Sequence, residues 1–141
     1  MLFVYVSLYR ETGVLRTMKI LVPTAGTKPA RENADYILYI AKKLQAEVSV
    51  IHILDIGEES PGGEEALNIF KEEAENWDVK VTTHLIEGNV VPTIVEFAEE
   101  EKVNLIIMGA SRGRIIADWI VTDILDKTKI PVVIIPIKFR K

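Results

Sequence analysis

The chain has 141 residues, of which 48% are hydrophobic and 27% are charged. This length fits one domain, and this composition is typical of a globular protein rather than a disordered or membrane-embedded one. The formal net charge of -4 indicates no basic face, which argues against a general binder of nucleic acids or anionic membranes, and the absence of cysteine excludes disulfides and thiolate chemistry.

The first segment, Met1 to Thr17, is predicted to be an extension ahead of the domain, which then spans Met18 to Lys141. Its apolar start lacks the basic residues and cleavage site of a signal peptide and is too short to span a bilayer. We interpret the extension as disordered and of little consequence. The alternative is that Leu2 to Tyr9 adds an edge strand or a dimer contact.

In the first half of the domain, apolar runs alternate with helical stripes. A strand at Ile20 to Val22 precedes a helix with Pro29 in its first turn, where proline is well tolerated. A second strand, Val48 to Leu54, is followed by a loop from Gly57 to Gly63. The two helical stripes contain Ala34, Ile37, Leu38, Ala41 and Leu44, and then Leu67, Phe70, Ala74 and Trp77.

The second half continues the alternation. The third strand, Val79 to Leu85, alternates apolar with polar residues and is predicted to be half-exposed. The fourth strand runs from Leu105 to Met108, and the last from Val132 to Ile137. The helical stripes between them are Val91, Ile94, Val95 and Ala98, and then Ile116, Ile120 and Ile124. Apolar strands separated by amphipathic helices predict a doubly wound parallel sheet with helices on both faces.

Two segments are predicted to line a ligand site, because open α/β sheets bind ligands beyond the carboxyl ends of their strands. They are Pro23 to Thr27, after the first strand, and Gly109 to Arg114, after the fourth. Glycines allow close backbone approach, and Ser111 with Arg112 and Arg114 beside a helix start favours an anion such as phosphate. By itself this pattern is more typical of a tight strand-to-helix turn.

The other polar candidates are interpreted as structural, so that no catalytic or metal-binding residue is expected. His52 lies among apolar strand residues and His84 on the alternating strand, and neither has the spacing of a metal or catalytic site. Ser111 lacks the Gly-x-Ser-x-Gly setting of a nucleophile. Asp55 follows the second strand, but no Gly-x-Gly-x-x-Gly precedes it, so a loop or cap role is preferred.

Several segments, taken in their joint order and spacing, resemble the universal stress protein family. The resemblance extends from Met18 to about Ile137 and implies a five-stranded parallel sheet in the strand order 3-2-1-4-5. The segments that carry it are Lys19 to Pro23, Ala46 to Ile53, Ile86 to Asn89, Ile94 to Ala98, Asn104 to Gly109 and Ile130 to Ile135.

The resemblance also implies a homodimer paired through the last strand, Val132 to Ile137. This strand carries apolar side chains on both faces, whereas the third strand, at the opposite edge, alternates apolar with polar residues. An exposed apolar edge promotes pairing unless something covers it. The homodimer is therefore preferred over a monomer in which helices alone cover the strand.

Many members of the family bind ATP through an acid after the first strand and a Gly-x-x-Gly, nine residues, Gly-Ser/Thr run after the fourth. Here Ala25 replaces the acid, and Asp123 falls at or beside the third glycine, where its carboxylate would repel phosphates. The family's contacts carry over by position onto Pro23, Thr24, Ala25, Ile53, Met108, Gly109, Arg112 or Gly113, Thr122 and Asp123, to which Ser111 and Arg114 of the loop are added.

These observations predict a small cytoplasmic homodimer of the stress response that is not an enzyme and whose nucleotide-type cleft binds ATP weakly or not at all. No cofactor is required; ATP or another adenine nucleotide is the small anionic ligand that the resemblance allows. The alternative is an ATP-binding or slowly ATP-hydrolysing switch that uses the Gly109 to Arg114 loop, with Asp123 holding a metal. A phosphoacceptor receiver is disfavoured because Thr24-Ala25 supplies no paired acids.

Overall fold

The structure, a computed structural model, describes residues 17–55, 57, 59–109 and 115–136, with the backbone alone for residues 115–119. Five strands and four helices alternate along these residues, which confirms the predicted order. The strands are β1 (Lys19–Pro23), β2 (Glu47–Leu54), β3 (Val81–Glu87), β4 (Leu105–Gly109) and β5 (Val132–Ile135). The helices are α1 (Thr27–Leu44), α2 (Ser60–Trp77), α3 (Val90–Glu100) and α4 (Ile115–Lys127).

The strands form one parallel sheet in the order β3-β2-β1-β4-β5, which confirms the expected topology. In the register of the two central strands, Ile20 pairs with Leu105 and Leu21 pairs with Ile106. The carboxyl ends of β1 and β4 therefore lie side by side, at the point where the strand order reverses.

The core has two layers because successive strand residues point to opposite faces of the sheet. Ile20 and Val22 of β1 face the layer that α1 and α2 cover, where Phe70 is buried. Leu21 faces the layer that contains Ile94 of α3. Among the described residues, no helix has the length and apolar character that crossing a bilayer needs.

The start of α2 differs from the prediction. The sequence predicts a loop up to Gly63, whereas α2 begins at Ser60 and contains Pro61 and Gly63 in its first turns. Proline at the start of a helix is favourable because its fixed φ suits the helix and its missing N–H is not needed there. Gly63 is buried against the side chain of His52, and a Cβ at this position would overlap the imidazole ring.

The third strand also differs from the prediction in its bounds and in one side-chain contact. It spans Val81–Glu87 rather than starting at Val79. Leu85, from the apolar set, is 36% exposed. His84, from the polar set, packs against Phe97 of α3 with 4.9 Å between the ring centroids. In this strand no residue is buried and three are exposed, which confirms the predicted half-exposed strand, and the partly covered His84 is the exception among its polar residues.

Three helices are followed by a non-glycine residue in the left-handed conformation. Gln45 after α1, Asp78 after α2 and Lys102 after α3 each have a φ of 53°. At Gln45 the backbone N–H donates to the carbonyls of Ala41 and Lys42. These residues close the helix ends, a role that glycine usually fills.

Candidate functional site

The carboxyl ends of β1 and β4 form the floor of the candidate site. Continuing the register of the paired strands sets Pro23 and Thr24 level with Met108 and Gly109. Thr24 is buried, and the other three are half-buried. We call these four residues the cleft floor. The strand order confirms that β1 and β4 are neighbours, as the expected topology requires, whereas the meeting of the two loop segments and their contact with a ligand stay predictions.

Hydrogen bonds to β2 fix the first residue after β1. The Thr24 N–H donates to the Ile51 carbonyl at 2.9 Å. The Thr24 carbonyl lies 2.7 Å from Nδ1 of His52, whose side chain is buried. Because a carbonyl oxygen only accepts, Nδ1 carries the hydrogen in this bond. Both backbone polar groups of Thr24 are therefore bound to residues of β2.

The first turn of α2 packs against the same imidazole. A Cβ at Gly63 would overlap Cδ2 of His52 and lie 2.9 Å from Cδ1 of Leu85. A Cβ at Gly62 would have no atom within 4 Å. The Thr27 hydroxyl donates to the Gly62 carbonyl at 3.5 Å, a long contact between the start of α1 and the start of α2. The imidazole of His52 thus lies between the end of β1 and the first turn of α2.

The end of β4 is held by packing against α1. A Cβ at Gly109 would lie 2.6 Å from Cγ of Asn33, a distance that real Cβ atoms do not reach. Asn33 is only 8% exposed, and its Nδ2 donates to the Pro29 carbonyl at 3.0 Å. The carboxamide is thus fixed to its own helix and fills the space in front of Gly109. A larger residue at this position would displace it.

The two large apolar residues of the predicted site, Ile53 and Met108, lie on the same face of the sheet. Ile53 is buried in the cluster that contains Ile124 of α4, and Met108 packs against that cluster. Ala25 is exposed directly after Thr24 and offers only a methyl group as its side chain. This end of the site therefore presents an apolar surface and backbone groups instead of a carboxylate.

The polar residues predicted on α4 flank the buried Ile124. Thr122 is exposed, and Asp123 forms an ion pair with Lys127 one turn later, with 3.3 Å between Oδ1 and Nζ. The two side chains of the pair are 41% and 52% exposed, so solvent screens the pair and the carboxylate stays available to repel an anion. The Asp-x-x-x-Lys spacing is the sequence signal for this pair.

Four predicted residues, Ser111, Arg112, Gly113 and Arg114, lie outside the described residues. Their expected contact with phosphate stays a prediction. Within the part of the chain that the structure describes, no group of three or more His, Asp or Glu side chains is placed to hold a metal ion.

Two residues that shape the site were missed by the sequence analysis, and a third was given a narrower role. Asn33 and Gly63 were not singled out, although both continue apolar helical stripes, Asn33 after Ala30 and Gly63 before Ala66. A polar or side-chain-free residue on such a stripe is the signal that could have found them. His52 was interpreted as structural, and its contact with Thr24 links it to the cleft floor.

Sequence comparison identifies the family of known proteins that the chain is similar to. The model of the universal stress protein family matches residues 17–136. A universal stress protein of Methanocaldococcus jannaschii is 38% identical over 109 residues, which make up 66% of this chain. The matched part spans 64% of the length of that relative.

Solved structures of universal stress proteins share the fold. One, crystallised in complex with cAMP, matches with a TM-score of 0.71 at 18% identity, covering 86% of this chain and 98% of that one. Another, from Archaeoglobus fulgidus in complex with dAMP, matches with a TM-score of 0.67 at 19% identity, covering 86% of this chain and 99% of that one. At these identities the likeness establishes the sheet and its helices and leaves the ligand open.

Proposed function

Because the chain belongs to the universal stress protein family, we propose that it is a small cytoplasmic stress-response protein that binds an adenine nucleotide and is not an enzyme. The observation that carries this proposal is the adjacency of the carboxyl ends of β1 and β4, since open α/β sheets bind ligands there. The lack of cysteine is compatible with a reducing compartment. The cleft binds ATP weakly or not at all.

An adenine nucleotide fits the chemistry around the cleft floor. Ile53 and Met108 supply apolar side chains on the same face of the sheet for a planar base. Two structural neighbours are complexes with cAMP and with dAMP, each a nucleotide with one phosphate. A nucleoside monophosphate is therefore the ligand class that we propose.

Weak affinity for ATP follows from two side chains. Ala25 has no acceptor for a ligand hydroxyl, so one directed hydrogen bond is missing. The partly exposed carboxylate of Asp123 repels phosphates, and it repels a triphosphate more than a monophosphate because the triphosphate carries more charge. Both effects lower the affinity for ATP relative to AMP.

Isothermal titration calorimetry with ATP-Mg and with AMP tests this proposal. ATP-Mg should give no heat or a dissociation constant on the order of 1 mM, with AMP binding more tightly. The Asp123→Asn variant, titrated with magnesium-free ATP and with AMP, serves as the control, because it should tighten the binding of the more highly charged ATP more than that of AMP. Micromolar binding of ATP-Mg to the unmodified protein would contradict the proposal.

A slowly ATP-hydrolysing switch is the second candidate, and the partly exposed carboxylate of Asp123 is the observation that favours it. A carboxylate at this position has the chemistry to hold a magnesium ion beside phosphates. Measurable ATP turnover that the Asp123→Asn variant abolishes would select this candidate. Turnover that persists in the variant would point to a contaminating enzyme.

A homodimer paired through β5 is part of the same proposal. β5 lies at the edge of the sheet, and the successive residues Val133 and Ile134 are 39% and 41% exposed, so apolar side chains are uncovered on both faces. The strand ends at Ile135, and Ile137 of the predicted strand lies outside the described residues.

Light scattering coupled to size-exclusion chromatography tests the dimer. The unmodified protein should have the mass of a dimer, and the Ile134→Lys variant should have the mass of a monomer. A monomer mass for the unmodified protein would refute the dimer.

A further inference from the structure

The imidazole of His52 connects the middle of the sheet to the backbone that enters the ligand site. The side chain is 4% exposed, and its Nδ1 donates to the Thr24 carbonyl at 2.7 Å, which is short for a nitrogen donor. Loss of a buried donor leaves its acceptor unsatisfied, which costs more than an average hydrogen bond contributes. The position of the Thr24 carbonyl is therefore strongly determined by His52.

The orientation of that carbonyl also sets the orientation of the next N–H. The peptide between Thr24 and Ala25 is planar and trans, so the N–H of Ala25 points opposite to the Thr24 carbonyl and away from His52. Among the described residues, the Ala25 N–H has no acceptor, and Ala25 itself is exposed. Within the part of the chain that the structure describes, it is an oriented, unpaired donor at the carboxyl end of β1.

We propose that His52 is a positioning residue that fixes the Thr24–Ala25 peptide so that the backbone N–H of Ala25 donates to an oxygen of the bound nucleotide. This inference rests on the proposed nucleotide site and assigns a donor within it. The backbone N–H at position 25 then contributes to binding although the side chain there has no polar group. Gly63 is required because any Cβ at that position would push the imidazole out of place.

Two substitutions at position 52 separate the hydrogen bond from burial. His52→Leu removes the donor, whereas His52→Asn keeps an N–H donor near the place of Nδ1. AMP should bind about tenfold more weakly to His52→Leu and within about threefold of the unmodified protein to His52→Asn. His84→Leu is the matched control, because His84 is half-buried on β3 and packs against Phe97, so its loss should leave the AMP affinity unchanged.

Two neighbouring glycines provide a second, independent pair of variants. Gly63→Ala should weaken AMP binding about as much as His52→Leu does, because the new methyl group displaces the ring. Gly62→Ala should not change the affinity, because its methyl group meets no atom within 4 Å. In a protein that already carries His52→Leu, adding Gly63→Ala should change the affinity less than it does alone.

A ligand-free measurement distinguishes a failure of this inference from a failure of the proposed function. The Thr24 amide is bonded to Ile51 and the Ala30 amide to Gly26, so amide hydrogen exchange reports on the segment between them. In His52→Leu both amides should exchange faster, and in His52→Asn they should exchange as in the unmodified protein.

If the unmodified protein binds no AMP, the proposed function fails and the exchange rates still test whether His52 fixes this segment. The inference is overturned if His52→Leu and Gly63→Ala bind AMP as tightly as the unmodified protein. It is overturned also if the exchange of the Thr24 amide is unchanged in His52→Leu. If His52→Leu does not fold, the comparison of Gly63→Ala with Gly62→Ala decides.

Discussion

The ends of β1 and β4 are held by opposite arrangements of a buried polar side chain and a glycine. At β1 the polar group, His52, comes from the neighbouring strand and the glycine, Gly63, from the helix above it. At β4 the glycine, Gly109, belongs to the strand itself and the polar group, Asn33, comes from the helix. A hydrogen bond fixes the direction of the backbone, whereas close packing only excludes other atoms. We therefore expect changes at β4 to affect mainly stability and changes at β1 to affect mainly ligand affinity.

The largest effect is expected for Gly109→Ala, which tests the end held by packing. The new methyl group would overlap the carboxamide of Asn33, which is confined by its bond to Pro29. Overpacking of this kind should lower the free energy of unfolding by about 2–3 kcal/mol. Urea denaturation followed by circular dichroism measures this change.

Asn33→Ala supplies the control for that experiment, because it removes the overlapping group. Asn33→Ala alone should cost about 1 kcal/mol through the lost bond and the lost contacts. The double variant should be more stable than the sum of the two single costs predicts, since the two changes relieve each other. Strict additivity would show that Gly109 and Asn33 are not in contact, and the contrast between the strand ends would then fail.

A smaller effect is expected for Ala25→Asp, which tests the end held by a hydrogen bond. Ala25 is exposed beside an oriented backbone, so a carboxylate placed there can accept a hydrogen bond from a ligand hydroxyl. AMP should bind about tenfold more tightly, which corresponds to about 1.4 kcal/mol. Calorimetric titration measures the gain, and urea denaturation should show almost no change in stability.

Ala25→Asn is the matched control for this prediction. It is neutral and nearly the same size as Asp, so it should tighten AMP binding by less than the charged variant does. An unchanged dissociation constant in both variants, in proteins that still fold, would show that the side chain at position 25 does not face the ligand.

Local patterns were sufficient to predict the elements of the fold and insufficient to predict how they meet. The apolar runs predicted the strands and the stripes predicted the helices because each pattern reports which residues are buried. The order of the strands came from the family resemblance, since burial alone does not tell which strands are neighbours. His84 shows the limit: the alternation of polar and apolar residues predicted a half-exposed strand, and it did not predict the contact of His84 with Phe97.

The sequence predicted where the candidate site lies but not which side chains contact one another there. The strand ends were located because ligand sites of open α/β sheets follow from topology. His52 was correctly expected to be buried, whereas its bond to Thr24 joins residues far apart in the sequence and leaves no periodic signal. Gly63 follows Pro61 and Gly62 and therefore looked like part of a loop, and only the ring packed against it explains a glycine inside the helix.

The left-handed residues after three of the helices lower the stability of the folded chain. Gln45, Asp78 and Lys102 adopt a backbone conformation that costs a residue with a Cβ about 1 kcal/mol and costs glycine almost nothing. Glycine at any of these three positions would remove that cost. Replacing these residues by glycine is therefore expected to raise the thermal stability of the chain while leaving the cleft floor unchanged.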